Sequence, residues 1–330
     1  MSKQLLSKSF IISYILVVFI LAGGALLYQM FKSGPLKESY IIYVQPNSNV
    51  QTIVNELVDN NVIESPHIFK LLLQSPLMGN SLKAGEYQIN EHASLIDLVR
   101  LLKQGKSLRR SFTVVEGQTH VAIIENLKNN PYLTGDIPKE MPPEGWLLAD
   151  TIYYFRGASR ESIIKELALK QQQRVNSIWQ KRDKDLPIKT IEEFVILASI
   201  VEKESSLPEE QPMVAGVFIN RLKKSMRLQS DVTVVYGIWR GAKPPEGFKL
   251  YNKDLNNKNE YNTYKILGLP IGAIANPSTT ALQAVAHPAK TKALYFVSNG
   301  MGKHNFSETL VEHNQNVQQW REYSKGNNGK

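Results

Sequence analysis

The segment that most constrains the fold is an apolar run from Thr190 to Glu204, with charged residues only near its ends. Thr190 followed three residues later by Glu193 is a capping-box pattern that begins a helix, and Pro208 limits how far the helix can extend. Apolar side chains lie nearly all the way round this helix: Phe194, Val195, Ile196, Leu197, Ile200 and Val201. A helix of this kind must be enclosed by other elements, so we predict that it forms the centre of a core.

The last turn of this helix carries two carboxylates, Glu202 and Glu204, whose neighbours differ. Glu204 lies at the end of an apolar stripe formed by Leu197, Ile200 and Val201, whereas Glu202 follows smaller residues. Burial and the helix C-terminus both raise a carboxyl pKa, which suits a general acid. For the helix alone, however, the plainer interpretation is favoured, in which both side chains are solvated at a fraying end.

Size and charge restrict the class of protein. A chain of 330 residues has room for about two domains. The net charge of +9 favours an acidic partner, such as nucleic acid, anionic lipid or an anionic polymer. The sequence has no cysteine, so disulfides and thiolate metal sites are excluded.

The N-terminus predicts the compartment. Lys3 and Lys8 precede a charge-free stretch, residues 10–31, that is long enough to cross a bilayer. Signal peptides have shorter apolar regions and a small-residue cleavage site, so an uncleaved anchor is favoured over a cleaved leader. We therefore predict a cytoplasmic tail over residues 1–9 and a transmembrane helix over 10–31, with the body outside. Nucleic acid is then excluded as a partner, and an anionic envelope polymer is expected.

The next part of the chain, residues 40–110, predicts a small module in the order strand, helix, helix, strand. The strands are expected at 40–44 and 84–89, and Ser48 and Ser65–Pro66 begin the two helices. This order is typical of LysM-like carbohydrate-binding modules. A small packing domain without a ligand is an equally consistent interpretation.

Residues 112–325 predict a mixed domain, so the fold class is α+β, and several of its loops suit sugar binding. Glu144 lies near the aromatic run Tyr153–Phe155 in the sequence. This combination suits sugar binding, because aromatic rings stack on sugars while carboxylates bind hydroxyl groups. An aromatic strand buried in a core is at least as common. If the segment around Gln229 is extended, Gln229, Asp231 and Thr233 share one face. A further polar and aromatic run follows at Tyr261–Tyr264.

Other kinds of site are set aside. His287, His304 and His313 lack the close spacing of metal ligands, so we expect no metal and no cofactor. No glycine-rich phosphate loop precedes a helix, and no serine has the context of a nucleophile elbow. A lone carboxyl flanked by apolar residues then indicates glycan chemistry.

Short segments along nearly the whole chain resemble those of the YceG-like family. They are Glu116–Gly117, Glu144–Trp146, Asp150–Thr151, Ala198–Glu204, Val217–Leu222, Arg227–Asp231, Tyr236–Gly237, Tyr261–Tyr264, Gly268–Pro270, Gly272–Ile274, Asn276–Pro277, His287–Ala289, Leu294–Val297 and Glu312–Asn314. Two departures stand out: Leu147–Ala149 replace aromatic and proline residues, and Pro270–Gly272 has isoleucine at its centre where the family often has a second proline. Both concern the walls of the cleft.

The resemblance implies a membrane-bound endolytic murein transglycosylase, a lyase that cleaves the MurNAc–GlcNAc bond within nascent strands. It leaves a 1,6-anhydroMurNAc end and would end strand elongation. Matched to the Glu-x-Glu motif of the family, the catalytic residue is Glu204. We expect sugar contacts from nearby polar residues: Gln229, Asp231, Tyr261, Asn262 and Tyr264.

The implied setting is a single-pass protein of the cell inner membrane with a cytoplasmic N-terminus and a periplasmic or otherwise extracytoplasmic catalytic domain. Peptidoglycan glycan strands are the expected partner, together with peptidoglycan synthases. A noncatalytic peptidoglycan-binding scaffold remains an alternative. So does a hydrolase that uses both Glu202 and Glu204, although residues two apart on a helix face different ways.

Overall fold

A computed structural model describes residues 2–75 and 82–327. The chain combines helices with short two-stranded sheets, so the expected mixture of helix and strand is present. It divides into two compact units, Met1–Arg110 and Ser111–Lys330.

The first helix, α1, extends over Ser2–Phe31. Its segment Ser9–Phe31 has a mean hydropathy of 2.7 and is long and apolar enough to cross a membrane. The predicted apolar helix at the N-terminus is therefore present, and its side chains from Ser9 onward are mostly exposed.

The remainder of the first unit has the predicted order of elements. They are β1 (Tyr40–Val44), α2 (Val50–Asp59), α3 (Pro66–Gln74), β2 (Gly85–Ile89) and α4 (Leu95–Gln104). Strands β1 and β2 pair antiparallel, with Tyr40 opposite Ile89. The start of α2 differs from expectation by one residue, because Asn49 rather than Ser48 caps the helix by accepting from the Gln51 backbone N–H.

Apolar faces of these elements enclose one small core. Ile42, Leu57, Phe69 and Tyr87 are fully buried there. The hydroxyl of Tyr87 donates to the Lys83 backbone carbonyl, which satisfies the polar end of that ring. The unit therefore has an independent hydrophobic core.

The second unit is mainly helical. Its elements, starting with the strand that crosses from the first unit, are β3 (Arg109–Thr113), α5 (His120–Lys128), β4 (Thr151–Phe155), α6 (Arg160–Gln180), α7 (Ile191–Glu204), α8 (Gln211–Lys223), α9 (Asp231–Trp239), α10 (Asn252–Leu255), α11 (Thr279–Ala286), β5 (Tyr295–Ser298), β6 (His304–Ser307) and α12 (Leu310–Asn327). Strand β3 pairs with β4, and β5 pairs with β6.

Helix α7 is the centre of the main core of this unit. Thr190 and Glu193 form the predicted capping box, and every residue from Phe194 to Val201 is buried. Helices α8 and α11 pack directly against α7. The prediction that the 190–204 segment forms a central core helix is confirmed, and this packing fixes where its last turn lies.

The condition for one expected arrangement, an extended segment around Gln229, is not met. The segment carrying Gln229, Asp231 and Thr233 is not extended throughout, because helix α9 begins at Asp231. Asp231 is exposed whereas Thr233 is fully buried, so the shared face does not exist. The β-branched valines of this segment favour a strand locally, and tertiary packing overrides that preference.

Candidate active site

Glu204 is the last residue of α7, and its carboxyl accepts one short hydrogen bond. The Ser230 hydroxyl donates to Oε1 over 2.5 Å. Burial raises the pKa of Glu204 to about 6, although the hydrogen bond from Ser230 opposes this. The negative charge of Asp231 raises the pKa further, whereas His304 and Arg221 lower it. The carboxyl is therefore poised to hold and release a proton near neutral pH.

Ser230 is held rigidly against Glu204. It is 2% exposed. Its backbone N–H donates to Thr263 Oγ1 over 2.9 Å, and its carbonyl accepts from Thr233 Oγ1 over 2.6 Å. Because the two threonine hydroxyls also contact each other at 2.9 Å, the network fixes the serine from both sides.

The second carboxyl oxygen of Glu204 is open. Among the residues that the structure describes, none donates a hydrogen bond to Oε2, and this atom remains accessible. The hydrogen bond from Ser230 to Oε1 fixes the orientation of the carboxyl group. Oε2, which accepts no hydrogen bond, can then present a proton to a bound molecule. The arrangement suits a general acid that becomes a base after giving up its proton.

Glu202 has a different role. Its Oε2 accepts from both the Ser278 backbone N–H at 3.0 Å and the Ser278 hydroxyl at 2.5 Å. Ser278 is the N-cap of α11, so Glu202 ties the end of α7 to the start of α11. The two carboxyls at this end of α7 therefore bond to different segments, Glu202 to the start of α11 and Glu204 to the residue before α9.

Asp231 and Tyr264, two predicted sugar contacts, lie together beside Glu204. The Tyr264 hydroxyl donates to Asp231 Oδ1 over 2.6 Å. Burial, followed by this hydrogen bond and the charges of Asp231 and Glu204, raises the pKa of Tyr264 well above its usual value. Tyr264 therefore stays protonated as a donor.

Gln229 lies one residue before Ser230 in a strained backbone conformation, with φ of 51°. Its side-chain oxygen accepts from Arg221 Nη1 at 3.3 Å. Arg221 also donates to the backbone carbonyls of Arg227 and Leu228, so it holds the turn that presents Gln229. The Gln229 residue itself is exposed.

Tyr261 and Asn262 differ in accessibility. The Tyr261 ring is partly exposed and packs on the Tyr236 ring with centroids 4.9 Å apart. Asn262 is fully buried, and its amide donates to backbone carbonyls of Leu255 and Asn257. Its side-chain oxygen accepts from the Tyr264 backbone N–H at 2.9 Å, so Asn262 shapes the loop that carries the two tyrosines.

A second carboxyl with little exposure belongs to Glu144, which the sequence places in a family-like motif near an aromatic run. It accepts from the backbone N–H of His120, the amide of Asn276 and the hydroxyl of Tyr236. Burial raises the pKa of Glu144 to about 7 despite these hydrogen bonds. Burial also lowers the pKa of His120 to about 4. Glu144, Tyr236 and Asn276 each belong to a segment that resembles the family, but no local pattern predicts that they meet, because they are far apart along the chain.

The two departures from the family pattern occupy different settings. Leu147, Leu148 and Ala149 are buried in the core formed by β3, β4, α5 and α6. In the other segment, a side chain at Gly272 would approach the Tyr261 hydroxyl at 3.1 Å, so glycine there leaves room for that ring.

Within the described ranges, no cluster of His, Asp and Glu could hold a metal ion.

These features define a class of protein: a mixed helix and strand domain with one open, raised-pKa glutamate at the end of a buried helix, preceded by an apolar N-terminal helix. A family model described as the YceG-like family matches residues 42–319. The chain belongs to this family, and the resemblance predicted from its motifs is confirmed.

Curated relatives and a solved structure agree with this assignment. An endolytic murein transglycosylase of Bacillus subtilis (strain 168) is 30% identical over 89% of this chain and 89% of its own length. A protein of the same name from Streptococcus pneumoniae serotype 2 is 25% identical over 94% of this chain and 65% of its own length. A crystal structure of a putative yceG-like protein from Listeria monocytogenes matches with a TM-score of 0.54 and 29% identity, covering 84% of this chain and 98% of the other.

Proposed function

We propose that this protein is a lyase, an endolytic murein transglycosylase that cleaves the MurNAc–GlcNAc bond within peptidoglycan strands and leaves a 1,6-anhydroMurNAc end. The observation that carries the proposal is the geometry of Glu204, with Oε1 held by Ser230 and Oε2 open. The names of the relatives from Bacillus subtilis and Streptococcus pneumoniae support the reaction class.

One carboxyl suffices for this reaction. Protonated Glu204 gives its proton to the glycosidic oxygen as the bond from that oxygen to C1 of the muramyl sugar breaks. The muramyl 6-hydroxyl then bonds to the same C1, and the Glu204 carboxylate takes the proton that this hydroxyl loses. Intramolecular attack has a high effective molarity, so no second carboxylate is needed to activate water. Glu202 and Glu204 are two residues apart on α7 and bond to different segments, through Ser278 and Ser230, which argues against both carboxyls acting on one bond in a two-carboxylate hydrolase.

In this proposal, four of the five predicted sugar contacts meet the glycan directly, and the fifth, Asn262, acts indirectly. Polar or aromatic groups that a glycan entering toward Oε2 would meet come from Gln229, from Asp231 at the start of α9, and from Tyr261 and Tyr264 on a loop. Asn262 acts through the loop, because its buried amide holds the backbone that places Tyr264.

In this proposal, the rest of the chain anchors the protein in the membrane and binds the glycan strand. We infer that residues 10–31 anchor the protein in the cell inner membrane, with residues 1–9 in the cytoplasm and the catalytic domain, 112–325, on the outer side. The apolar helix and the preceding lysines support this topology. The order of elements in residues 40–110 supports a LysM-like module that binds glycan strands. Cleavage of nascent strands beside peptidoglycan synthases would end their elongation.

The test is the production of anhydro-muramyl ends by the full-length protein in detergent, measured by mass spectrometry on purified glycan strands. Glu204→Gln keeps the size and the acceptor for Ser230 but removes the titrating proton, so cleavage should fall by about 10²-fold or more. Glu192→Gln, an exposed change in the first turn of the same helix, is the matched control and should leave cleavage unchanged. Glu202→Gln should retain most activity.

Two results would contradict the proposal. A folded Glu204→Gln protein, judged by circular dichroism, that cleaves at the wild-type rate would exclude Glu204 as the acid. A wild-type protein that binds strands without producing any new ends would support the scaffold alternative instead. Reducing ends in place of anhydro ends would indicate hydrolysis.

A further inference from the structure

His304, the first residue of β6, is held by both oxygens of one carboxylate. Its backbone N–H donates to Glu210 Oε1 over 2.9 Å, and its ring Nδ1 lies 2.7 Å from Glu210 Oε2. Although burial raises the pKa of Glu210, the hydrogen bonds from the backbone and ring of His304 leave that pKa below its ordinary value. Glu210 is therefore an ionised acceptor, and Nδ1 carries the proton that it donates.

The other ring nitrogen of His304, Nε2, is unpaired and accessible. Among the residues that the structure describes, none forms a hydrogen bond with Nε2, and this atom is not enclosed by the protein. The ring is also packed edge-on against Phe296, with centroids 5.4 Å apart, and lies near Phe306. A ring that is fixed in orientation and has one accessible nitrogen can contact a bound molecule.

Two observations bring His304 to the Glu204 site. The first is the turn that follows α7, because Ser205 follows Glu204 and Gln211 follows Glu210 in the chain. Gln211 Nε2 donates to the Ser205 carbonyl over 3.1 Å, so the turn brings Glu210 back toward the end of α7. The second is electrostatic, since the charge of His304 is one of the causes that lower the pKa of Glu204.

The chemistry of Nε2 suits a sugar hydroxyl. Because Nδ1 donates to Glu210, Nε2 accepts a hydrogen bond when the ring is neutral and donates one when the ring is protonated. A hydroxyl group both donates and accepts, so it pairs with Nε2 in either state. A carboxylate only accepts, so it would pair with the protonated ring alone.

We propose that His304 is a glycan-binding residue of the Glu204 site, and that its Nε2 pairs with a hydroxyl group of the sugar chain beside the bond that is cleaved. This inference rests on the proposed transglycosylase function. It makes the β5–β6 hairpin a part of the glycan site, although none of the five predicted sugar contacts comes from that hairpin. Glu210 is then a positioning residue that holds the ring.

Two substitutions separate the two nitrogens of the His304 ring. In His304→Asn, the amide nitrogen takes the place of Nδ1 and retains a donor to Glu210, whereas nothing replaces Nε2. The kcat/KM for release of anhydro-muramyl ends from purified glycan strands should fall about tenfold, the scale of one hydrogen bond. His304→Gln places an amide near the position of Nε2 and should stay within about threefold of wild type.

His287→Asn is the matched control, because His287 forms the same kind of pair elsewhere. Its ring Nδ1 lies 2.8 Å from Asp183 Oδ1. His287 is the C-cap of α11, at the opposite end of that helix from the contact between Ser278 and Glu202. His287→Asn should leave kcat/KM unchanged. The proteins are full length and in detergent, and circular dichroism establishes folding for each.

A footprint on the unaltered ring covers the case in which His304→Asn does not fold. Diethyl pyrocarbonate acylates accessible imidazole nitrogens, and mass spectrometry of peptides locates the products. The full-length Glu204→Gln protein is used so that bound strands are not consumed. Glycan strands at a concentration that saturates binding in calorimetry should protect His304, whereas the exposed His287 should react as before.

The outcomes separate this inference from the proposed function. A folded His304→Asn protein with the wild-type kcat/KM would overturn the inference, and so would full acylation of His304 in the presence of bound strands. Equal losses in His304→Asn and His304→Gln, both with lowered melting temperatures, would assign a structural role and overturn it as well. Protection of His304 without release of anhydro ends by wild type would support the glycan contact and overturn the transglycosylase proposal. A protein that binds no strands would overturn both.

Discussion

Glu144 and Glu204, two carboxyl groups of the second unit, have pKa values that burial raises, but their hydrogen-bonding patterns are opposite. Burial raises the pKa of Glu144 to about 7 and that of Glu204 to about 6. Glu144 accepts from His120, Tyr236 and Asn276, whereas in the described part of the chain Ser230 alone donates to Glu204.

This difference shows that a raised pKa does not by itself identify a catalytic carboxyl. The two oxygens of Glu144 are occupied by groups from separate segments, so its carboxyl joins those segments together. Glu204 keeps an oxygen open, so its proton can reach a bound molecule. We therefore propose Glu204, rather than Glu144, as the group that carries the chemistry.

The largest expected effect is on stability when Glu144 is removed. Glu144→Ala leaves the donors of His120, Asn276 and Tyr236 without their acceptor in a mostly buried site, and an unsatisfied buried group costs about 1–3 kcal/mol. Chemical denaturation followed by tryptophan fluorescence should show a loss of roughly 3 kcal/mol. Glu204→Ala should lose less, since it leaves one hydroxyl unpaired. Equal losses would remove the distinction between the two sites.

A smaller change in stability, an increase rather than a loss, is expected when an uncharged glutamine replaces Glu204. The folded-state pKa of Glu204, about 6, is above the usual carboxyl value near 4.5, so the unfolded state loses this proton at lower pH. The free energy of unfolding therefore decreases as the pH rises from about 4.5 to 6, and the whole decrease persists at higher pH. One pKa unit corresponds to about 1.4 kcal/mol, so this cost is on the order of 1–2 kcal/mol.

Glu204→Gln should therefore raise the melting temperature at pH 8 and change it little at pH 4. Thermal melts of the full-length protein at the two pH values measure this directly. Glu192→Gln, at an exposed position of the same helix, should change neither melt. A Glu204→Gln protein that is less stable than wild type at pH 8 would mean that the carboxylate is favourably placed in the fold.

The sequence was sufficient for the parts of the site that depend on local pattern. The capping box at Thr190 and the all-round apolar character of α7 predicted a buried central helix, and the stripe ending at Glu204 separated that residue from Glu202. Helix periodicity fixes which side chains neighbour each other within a few residues, so these inferences needed no tertiary information.

The remaining parts depend on contacts between distant segments. Ser230 is 26 residues from Glu204, and Asn276 is 132 residues from Glu144. No local pattern specifies such pairs. The conformation at the start of α9 is of the same kind, since its valines favour a strand, yet Thr233 and Val234 are buried in the core as part of a helix. That helix is what places Ser230 against Glu204.

The smallest expected effect is a shift of the pH profile on replacing Ser230. The direction of this shift distinguishes a residue that positions Glu204 from one that only stabilises the fold. The hydrogen bond from Ser230 stabilises the carboxylate form and lowers the pKa of Glu204. Ser230→Ala removes this bond, so the pKa should rise further. Because the reaction starts from protonated Glu204, the alkaline limb of the kcat/KM profile should move to higher pH by roughly half to one unit, the equivalent of one hydrogen bond.

The rate at low pH should also fall, by several-fold to about tenfold, because the carboxyl is no longer held in one orientation. Ser230→Thr retains a hydroxyl and should restore the pH profile toward that of wild type. The measurement is the release of anhydro-muramyl ends across a series of pH values, with circular dichroism at each. A purely structural role would lower the rate at all pH values without moving the limb, and a shift to lower pH would reverse the assignment of Ser230 as the donor that holds Oε1.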